Sequence, residues 1–195
     1  MKQWLKICIL ALIFCSSTSC AESLSNATET FENEVYTPTH ASGFIIMTDN
    51  EGNTLLRVTR PWQGDNIQEQ NLAIFTDEES ATGYSGEHII GNAQRIVCMS
   101  TSHIAMLESL GLTEYIVGVS GKEYIMNSAV MGNEAVLDVG YDSNLDFERL
   151  ISLRPDIVLM YGITSENSII TAKLRELGIP YLYLGDYTEQ SPLGK

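Results

Sequence analysis

Residues 95–111 read RIVCMSTSHIAMLESLG. The opening run, 95–99, is short, β-branched and without polar alternation, the pattern of a strand covered on both faces. Three hydroxyl residues follow, Ser100, Thr101 and Ser102, and then Ile104, Leu107 and Leu110 recur at helical spacing until Gly111 stops the pattern. A strand thus ends in small hydroxyls where a helix begins. The local reading is a helix cap, with Thr101 or Ser102 as the natural cap residue. The functional reading is a ligand loop, because open parallel sheets bind ligands outside the carboxyl ends of their strands.

The same alternation continues to the end of the chain. Strands are expected at 115–120, 135–140, 156–162 and 180–185, and helices at 102–110, 146–153 and 167–177, each helix with one apolar face. Gly178 and Pro155 supply further stop signals. The pattern predicts an α/β fold, a Rossmann-like lobe with a mostly parallel sheet, over 91–195. Upstream, GFIIMT (43–48) and TLLRVT (54–59) flank DNEGN, a turn sequence, and NLAIFT (71–76) is a third strand candidate. Residues 77–88 read as a polar loop. Residues 41–90 are therefore expected to be a small β-rich subdomain built on a hairpin, with Trp62 packing it onto the main domain.

The amino-terminal end reads as an address. Lys2 and Lys6 precede an apolar run at 7–14, far short of the about 20 residues a membrane span takes. Small residues then lead to Cys20, as in a lipoprotein signal. The expected division is a signal peptide at 1–19, lipidation of Cys20 and a flexible, Ser/Thr/Glu/Asn-rich tether at 20–40. This places the protein in the bacterial cell envelope, facing the periplasm and held to the membrane by its lipid. Cys98 is then the single cysteine of the domain, so the fold must stand without a disulfide, and its place in a strand suits a small buried hydrophobe. The formal net charge is −14, more negative once Lys2 and Lys6 leave, which argues against nucleic acid as a partner.

The loops leaving the strand ends carry Ser100–His103, Lys122 and Tyr124, Tyr141, and Tyr161. Aromatic faces with hydroxyl edges suit a large amphipathic ligand. Enzyme signatures are missing from the sequence: GVSGKE (118–123) lacks the spacing and final Ser/Thr of a P-loop, and neither Gly-x-Ser-x-Gly nor Gly-x-Gly-x-x-Gly occurs. His40, His88 and His103 are scattered, with no helical metal-site spacing. No catalytic residue, metal or cofactor is assigned. The competing readings are an exported α/β enzyme lobe of chelatase or hydrolase type, with His103 and Glu123 as its only candidates, and a structural envelope lipoprotein working through 43–75.

RIVCMSTSHIAMLESLGLTEYIVGVSGKEYI and VLDVGYDSNLDFERLISLRPDIVLMYG together resemble the substrate-binding proteins of metal-chelate ABC importers. The features are an Arg-Ile-Val strand, a serine loop, a helix ending near Leu-Gly, a Gly-aromatic loop, an Asn-Leu-x-x-Glu helix and an Arg-Pro-Asp turn. The resemblance covers about 95–195, roughly half the chain. It implies the N-terminal lobe of a class III periplasmic binding protein that captures an iron-siderophore, haem or cobalamin-type chelate. The partners it implies are an ABC permease and its ATPase. It implies that Ser100, Thr101, Ser102 and His103 face the ligand cleft, that Tyr124 and Tyr141 lie against the ligand, and that Glu148 docks onto the permease. Lys122 and Tyr161 belong to the same loops. The chain stops where the interlobe helix of that class would begin. The expectation is an N-terminal lobe alone, offering half a cleft and binding weakly.

Overall fold

The computed structural model describes residues 30–64 and 68–194. The expected signal peptide at 1–19 and the lipidation site Cys20 lie outside the described residues.

Two five-stranded sheets share the chain. The first runs β1 (Asn33–Tyr36), β2 (Phe44–Thr48), β3 (Thr54–Val58), β4 (Gln70–Phe75) and β5 (His88–Ile90), in that spatial order. It is antiparallel except for the parallel β4–β5 pair. β2 and β3 form the expected hairpin, closed over Asp49, whose carboxylate accepts the backbone N–H groups of Glu51 and Asn53. β1 and β5 extend the sheet beyond the expected three strands. β1 arises inside the stretch expected to be a tether, and the reason is Phe31, which is fully buried against Phe75 with ring centroids 6.2 Å apart. One aromatic anchor orders a strand whose own residues, Asn-Glu-Val-Tyr, are all exposed.

The second sheet is parallel throughout: β6 (Ile96–Cys98), β7 (Ile116–Val119), β8 (Leu137–Asp138), β11 (Ile157–Met160) and β12 (Tyr181–Tyr183). Between β8 and β11 the chain makes a small hairpin, β9 (Gly140–Tyr141) with β10 (Asn144–Leu145). The helices are α1 (Thr101–Ser109), α2 (Ser128–Met131), α3 (Phe147–Leu153) and α4 (Ser168–Glu176). Strand order is β12-β11-β6-β7-β8, so the winding reverses between β6 and β11. The α/β class with a mostly parallel sheet is as the sequence predicts.

Period-two alternation explains the covered faces. Ile96, Cys98, Ile157 and Leu182 point into one core with Ile104 and Leu107 of α1, Val130 of α2, and Val58, Leu72 and Ile89 of the first sheet. Val97, Met99, Val158, Met160, Tyr181 and Tyr183 point into the other, with Leu150 and Leu153 of α3 and Ile170 and Leu174 of α4. Cys98 is fully buried, and burial pushes its thiol up to about 12, so it packs as a hydrophobe. Trp62 crosses from the first sheet to this second core and meets Tyr183 edge-on at 5.5 Å. Gln70 Oε1 accepts the Tyr183 N–H at 3.0 Å, which satisfies part of the β12 edge from outside the sheet.

The Arg95 and Arg154-Pro155-Asp156 signatures meet in space. Arg95 donates through Nε (2.8 Å) and Nη2 (2.6 Å) to the Leu153 carbonyl, closing the C-terminus of α3. Asp156 in turn accepts the backbone N–H groups of Gln94 (2.7 Å) and Arg95 (2.9 Å). This reciprocal clamp holds the amino ends of β6 and β11 together and leaves their carboxyl ends free to diverge into loops.

Candidate functional site

Five loops leave the carboxyl edge of the parallel sheet. Across the edge they run 184–188 after β12, 161–165 after β11, 99–102 after β6, 120–125 after β7 and the 140–145 hairpin after β8. The hydroxyl loop and the Tyr161 loop therefore flank the switch point, where an open sheet offers its crevice. Met99 N–H donates to the Leu159 carbonyl at 2.9 Å and extends the β6–β11 pairing up to that point.

In the hydroxyl loop the cap is Ser100, not Thr101 or Ser102. Ser100 has extended backbone angles, its side chain accepts from Ser102 N–H at 3.3 Å, and its hydroxyl lies 3.0 Å from that of Ser102. Thr101 is exposed and Ser102 half-buried. His103 departs from expectation more sharply. It does not face a cleft: it is fully buried, and neither ring nitrogen has a hydrogen-bond partner among the described residues. One residue after Ser102, its position on α1 turns the ring inward with Ile104 rather than outward with Thr101. Burial pushes its pKa down to about 4, against the opposing pull of the Asp186 charge and the Leu159 carbonyl. The ring is neutral at physiological pH.

Lys122 is also redirected. Its Nζ donates to the Asn133 and Val136 carbonyls, each at 2.7 Å, and so ties down the turn before β8 rather than facing a ligand. Tyr124 and Tyr141 are brought together on the edge. They meet at the rim with ring centroids 6.3 Å apart and planes tilted by 54°. Tyr124 is 69% exposed and Tyr141 41%, and Met126, two residues after Tyr124 in the sequence, is 94% exposed. Large apolar surface in this concentration, on one edge, is the kind that marks a binding face.

Local backbone chemistry sets that pair. Asp138, at the end of β8, accepts the N–H groups of Gly121, Lys122 and Gly140. Partial burial raises its carboxyl, yet these three donors outweigh burial and hold it below the ordinary aspartate range. The β7 and β8 loops are thereby locked together. Gly121 sits at φ +64, and a Cβ there would lie 2.7 Å from the Tyr141 ring, so glycine is what lets that ring lie across the loop. Tyr141 then donates its hydroxyl to Glu123 Oε1 at 2.6 Å, an interaction that raises the phenol well above its usual range.

Tyr161 is 37% exposed and Ile163 64%, on a loop pinned from below. Tyr187 donates to the Gly162 and Ile163 carbonyls, and Gln63 N–H donates to the Ile163 carbonyl at 3.1 Å. The first sheet thus reaches the carboxyl edge through 60–64. Glu148 is exposed on the first turn of α3, after the N-cap Asp146. Asp142, in the hairpin turn, has a buried oxygen without a partner among the described residues, and burial raises its carboxyl. Glu123, named only under the enzyme reading, and Met126, Ile163 and Asp142 were not in the expected ligand set. The GKEYIM loop (121–126) carries acid, aromatic and thioether side by side, the one local signal that could have found the first two.

A separate cavity of about 300 Å³ lies beside the β12 end of the edge, lined by Phe44, Leu56, Val58, Met106, Leu184 and Asp186 among others. Among the described residues no cluster of three or more His, Cys, Asp or Glu side chains is placed to hold a metal ion.

Comparison with known proteins places this geometry. Residues 96–182 match the family described as Periplasmic binding protein. An uncharacterized lipoprotein of Methanocaldococcus jannaschii is 25% identical over 177 residues, covering 77% of this chain and 41% of that protein. The chain thus spans about two-fifths of the length of this curated relative. Among solved structures, the petrobactin-binding protein YclQ of Bacillus subtilis is similar at TM-score 0.42 and 19% identity, over 71% of this chain and 41% of its own. A periplasmic heme-binding protein of Pseudomonas aeruginosa is similar at TM-score 0.41 and 23% identity, over 49% and 32%. The family is one of binding proteins, and its match spans β6 to β12, the strands that carry the edge. Residues 96–182 of this chain are thus similar to the Periplasmic binding protein family.

Proposed function

We propose that the chain is a substrate-binding component of an ABC importer and captures a metal chelate of the iron-siderophore, haem or cobalamin type on the carboxyl edge of its parallel sheet. The observation that carries this reading is the exposed Tyr124–Tyr141 pair with Met126, set on the loops after β7 and β8 of the family-matched domain. A planar or globular chelate offers broad apolar faces, and two tilted rings with a thioether complement them through area and dispersion. Ser100, Thr101, Ser102 and Tyr161 supply hydroxyls at the neighbouring strand ends.

In this reading residues 1–19 are removed as a signal, lipid on Cys20 holds the protein at the cell envelope, 20–40 tether it, and 41–90 buttress the 91–195 lobe at 60–64. Glu148, a charged group at the rim, is the contact to the permease, where such a carboxylate supports specificity more than affinity. No bond is made or broken; capture and docking are the whole mechanism.

The test is calorimetric titration of cyanocobalamin, haemin and ferric siderophores into the full chain and its Tyr124→Ala and Tyr141→Ala variants. The expected result is saturable binding of at least one chelate, weakened about tenfold by removal of either ring, in keeping with the loss of a buried aromatic contact. Binding that neither substitution alters would place the ligand elsewhere and refute the proposal.

A further inference from the structure

The charge of the rim narrows the ligand class. On the β6–β8 half of the edge the described cations are Lys122 and Arg149, and both are engaged by acceptors of the protein itself. Lys122 Nζ is held by two backbone carbonyls. Arg149 donates to the Asp138 carbonyl at 2.5 Å and lies 3.5 Å from the Asp146 carboxylate. Arg60 stands at the opposite end, sharing the lining of the cavity beside β12 with Asp186. What this half of the edge presents outward is acidic: exposed Glu123 beside the ring pair and exposed Glu148.

An anionic chelate seated against Tyr124 and Tyr141 would bring its carboxylates or catecholate oxygens toward Glu123, while the described cations of this half, Lys122 and Arg149, are already engaged by backbone carbonyls and the Asp146 carboxylate. Like charges so placed cost binding directly. A chelate with amide or ammonium N–H groups at its periphery gains instead, because Glu123 is an acceptor already oriented by the Tyr141 hydroxyl. The aromatic pair adds to this, since ring faces attract cationic groups.

Resting on the chelate-binding role proposed above, the geometry points to a ligand without net negative charge that donates N–H groups to Glu123. Glu123 is then the residue that discriminates among chelates.

The experiment measures dissociation constants of the full chain for four probes. They are a ferric trihydroxamate bearing a pendant ammonium, cyanocobalamin with its peripheral amides, a ferric tris-catecholate and haemin. The first two separate the cationic from the uncharged source of the same N–H chemistry. At least one of them is expected to bind about tenfold or more tighter than either anionic probe. Glu123→Gln is expected to weaken the ammonium-bearing probe about two- to fivefold, and Glu123→Lys to shift the preference toward the tris-catecholate. Glu114→Gln, at the amino end of β7 on the opposite edge, removes the same net charge and is expected to change neither. Tighter binding of haemin or the tris-catecholate, equal binding of all four, or indifference to Glu123 overturns the charge assignment while leaving a chelate site in place. Failure of all four probes to bind overturns the chelate-binding role itself, and the inference with it.

Discussion

His103 gives the sharpest prediction, because its environment is unlike that of an ordinary histidine. The ring is fully buried at the start of α1, and neither nitrogen has a well-formed hydrogen bond among the described residues. Burial lowers its pKa from 6.5 to about 4. The sign follows from proton counting. Between these two values the unfolded chain binds a proton that the native ring refuses, so stability is complete above about pH 6.5 and declines as pH falls toward 4. The difference between the two values corresponds to about 3 kcal/mol. With a urea slope of about 2 kcal/mol/M, that loss shifts the unfolding midpoint by about 1.5 M. His103→Leu removes the titrating group and two unsatisfied nitrogens at similar volume. At pH 7 its stability is expected within about 1.5 kcal/mol of the parent. The assay is urea unfolding of both proteins from pH 7.5 to 4. Asp49, Asp77 and Asp138, held low by backbone and side-chain donors, and Glu87 and Asp142, raised by burial, titrate in both proteins and cancel in the difference. The parent is expected to lose stability faster than the variant below pH 6.5. Parallel curves would show that His103 is solvated or paired, and the reasoning would fail.

Other substitutions probe the packing and the rim. Gly118 on β7 faces Leu153 and Val97, and an added Cβ would lie 2.7 Å from Leu153 Cδ1; Gly118→Ala is expected to cost about 1–3 kcal/mol by thermal melting. Glu189 is buried and accepts the N–H groups of Ser42 and Gly43 at 2.7–2.9 Å. Glu189→Gln is expected to cost about 1–3 kcal/mol and to speed amide exchange at those two residues, and unchanged exchange would contradict the contact. Glu148→Lys is expected to leave chelate affinity intact but to lower chelate-stimulated ATPase activity of the reconstituted importer, with equal stimulation counting against a docking role.

The strand–helix alternation was legible because β6, β7, β11 and β12 are largely buried on both faces and each longer helix carries one apolar stripe. Residue chemistry and period agree there, as at Ile104 and Leu107. β1 was not legible: its four residues are exposed and polar enough to read as tether, and its order depends on Phe31, a contact from outside its own sequence. β5 and the β9–β10 hairpin are too short for any period to register. On the carboxyl edge, the residue types and loops of Tyr124 and Tyr141 were legible. His103 and Lys122 were not. At a strand end, the direction of a side chain is set by tertiary neighbours, here the core under α1 and the carbonyls of Asn133 and Val136. Position on the carboxyl edge is a topological fact, while orientation on it is a packing fact.

The central claim is that a chelate lands on this edge, and the most direct test maps where it lands. Backbone amide shifts of the isotopically labelled full chain are followed as diamagnetic cyanocobalamin or a gallium trihydroxamate is added. The account predicts perturbations gathered at 100–102, 121–126, 140–143 and 161–164, and their loss in Tyr124→Ala. Perturbations gathered instead around Phe44, Leu56 and Met106, at the cavity beside β12, or none with either probe, would contradict it.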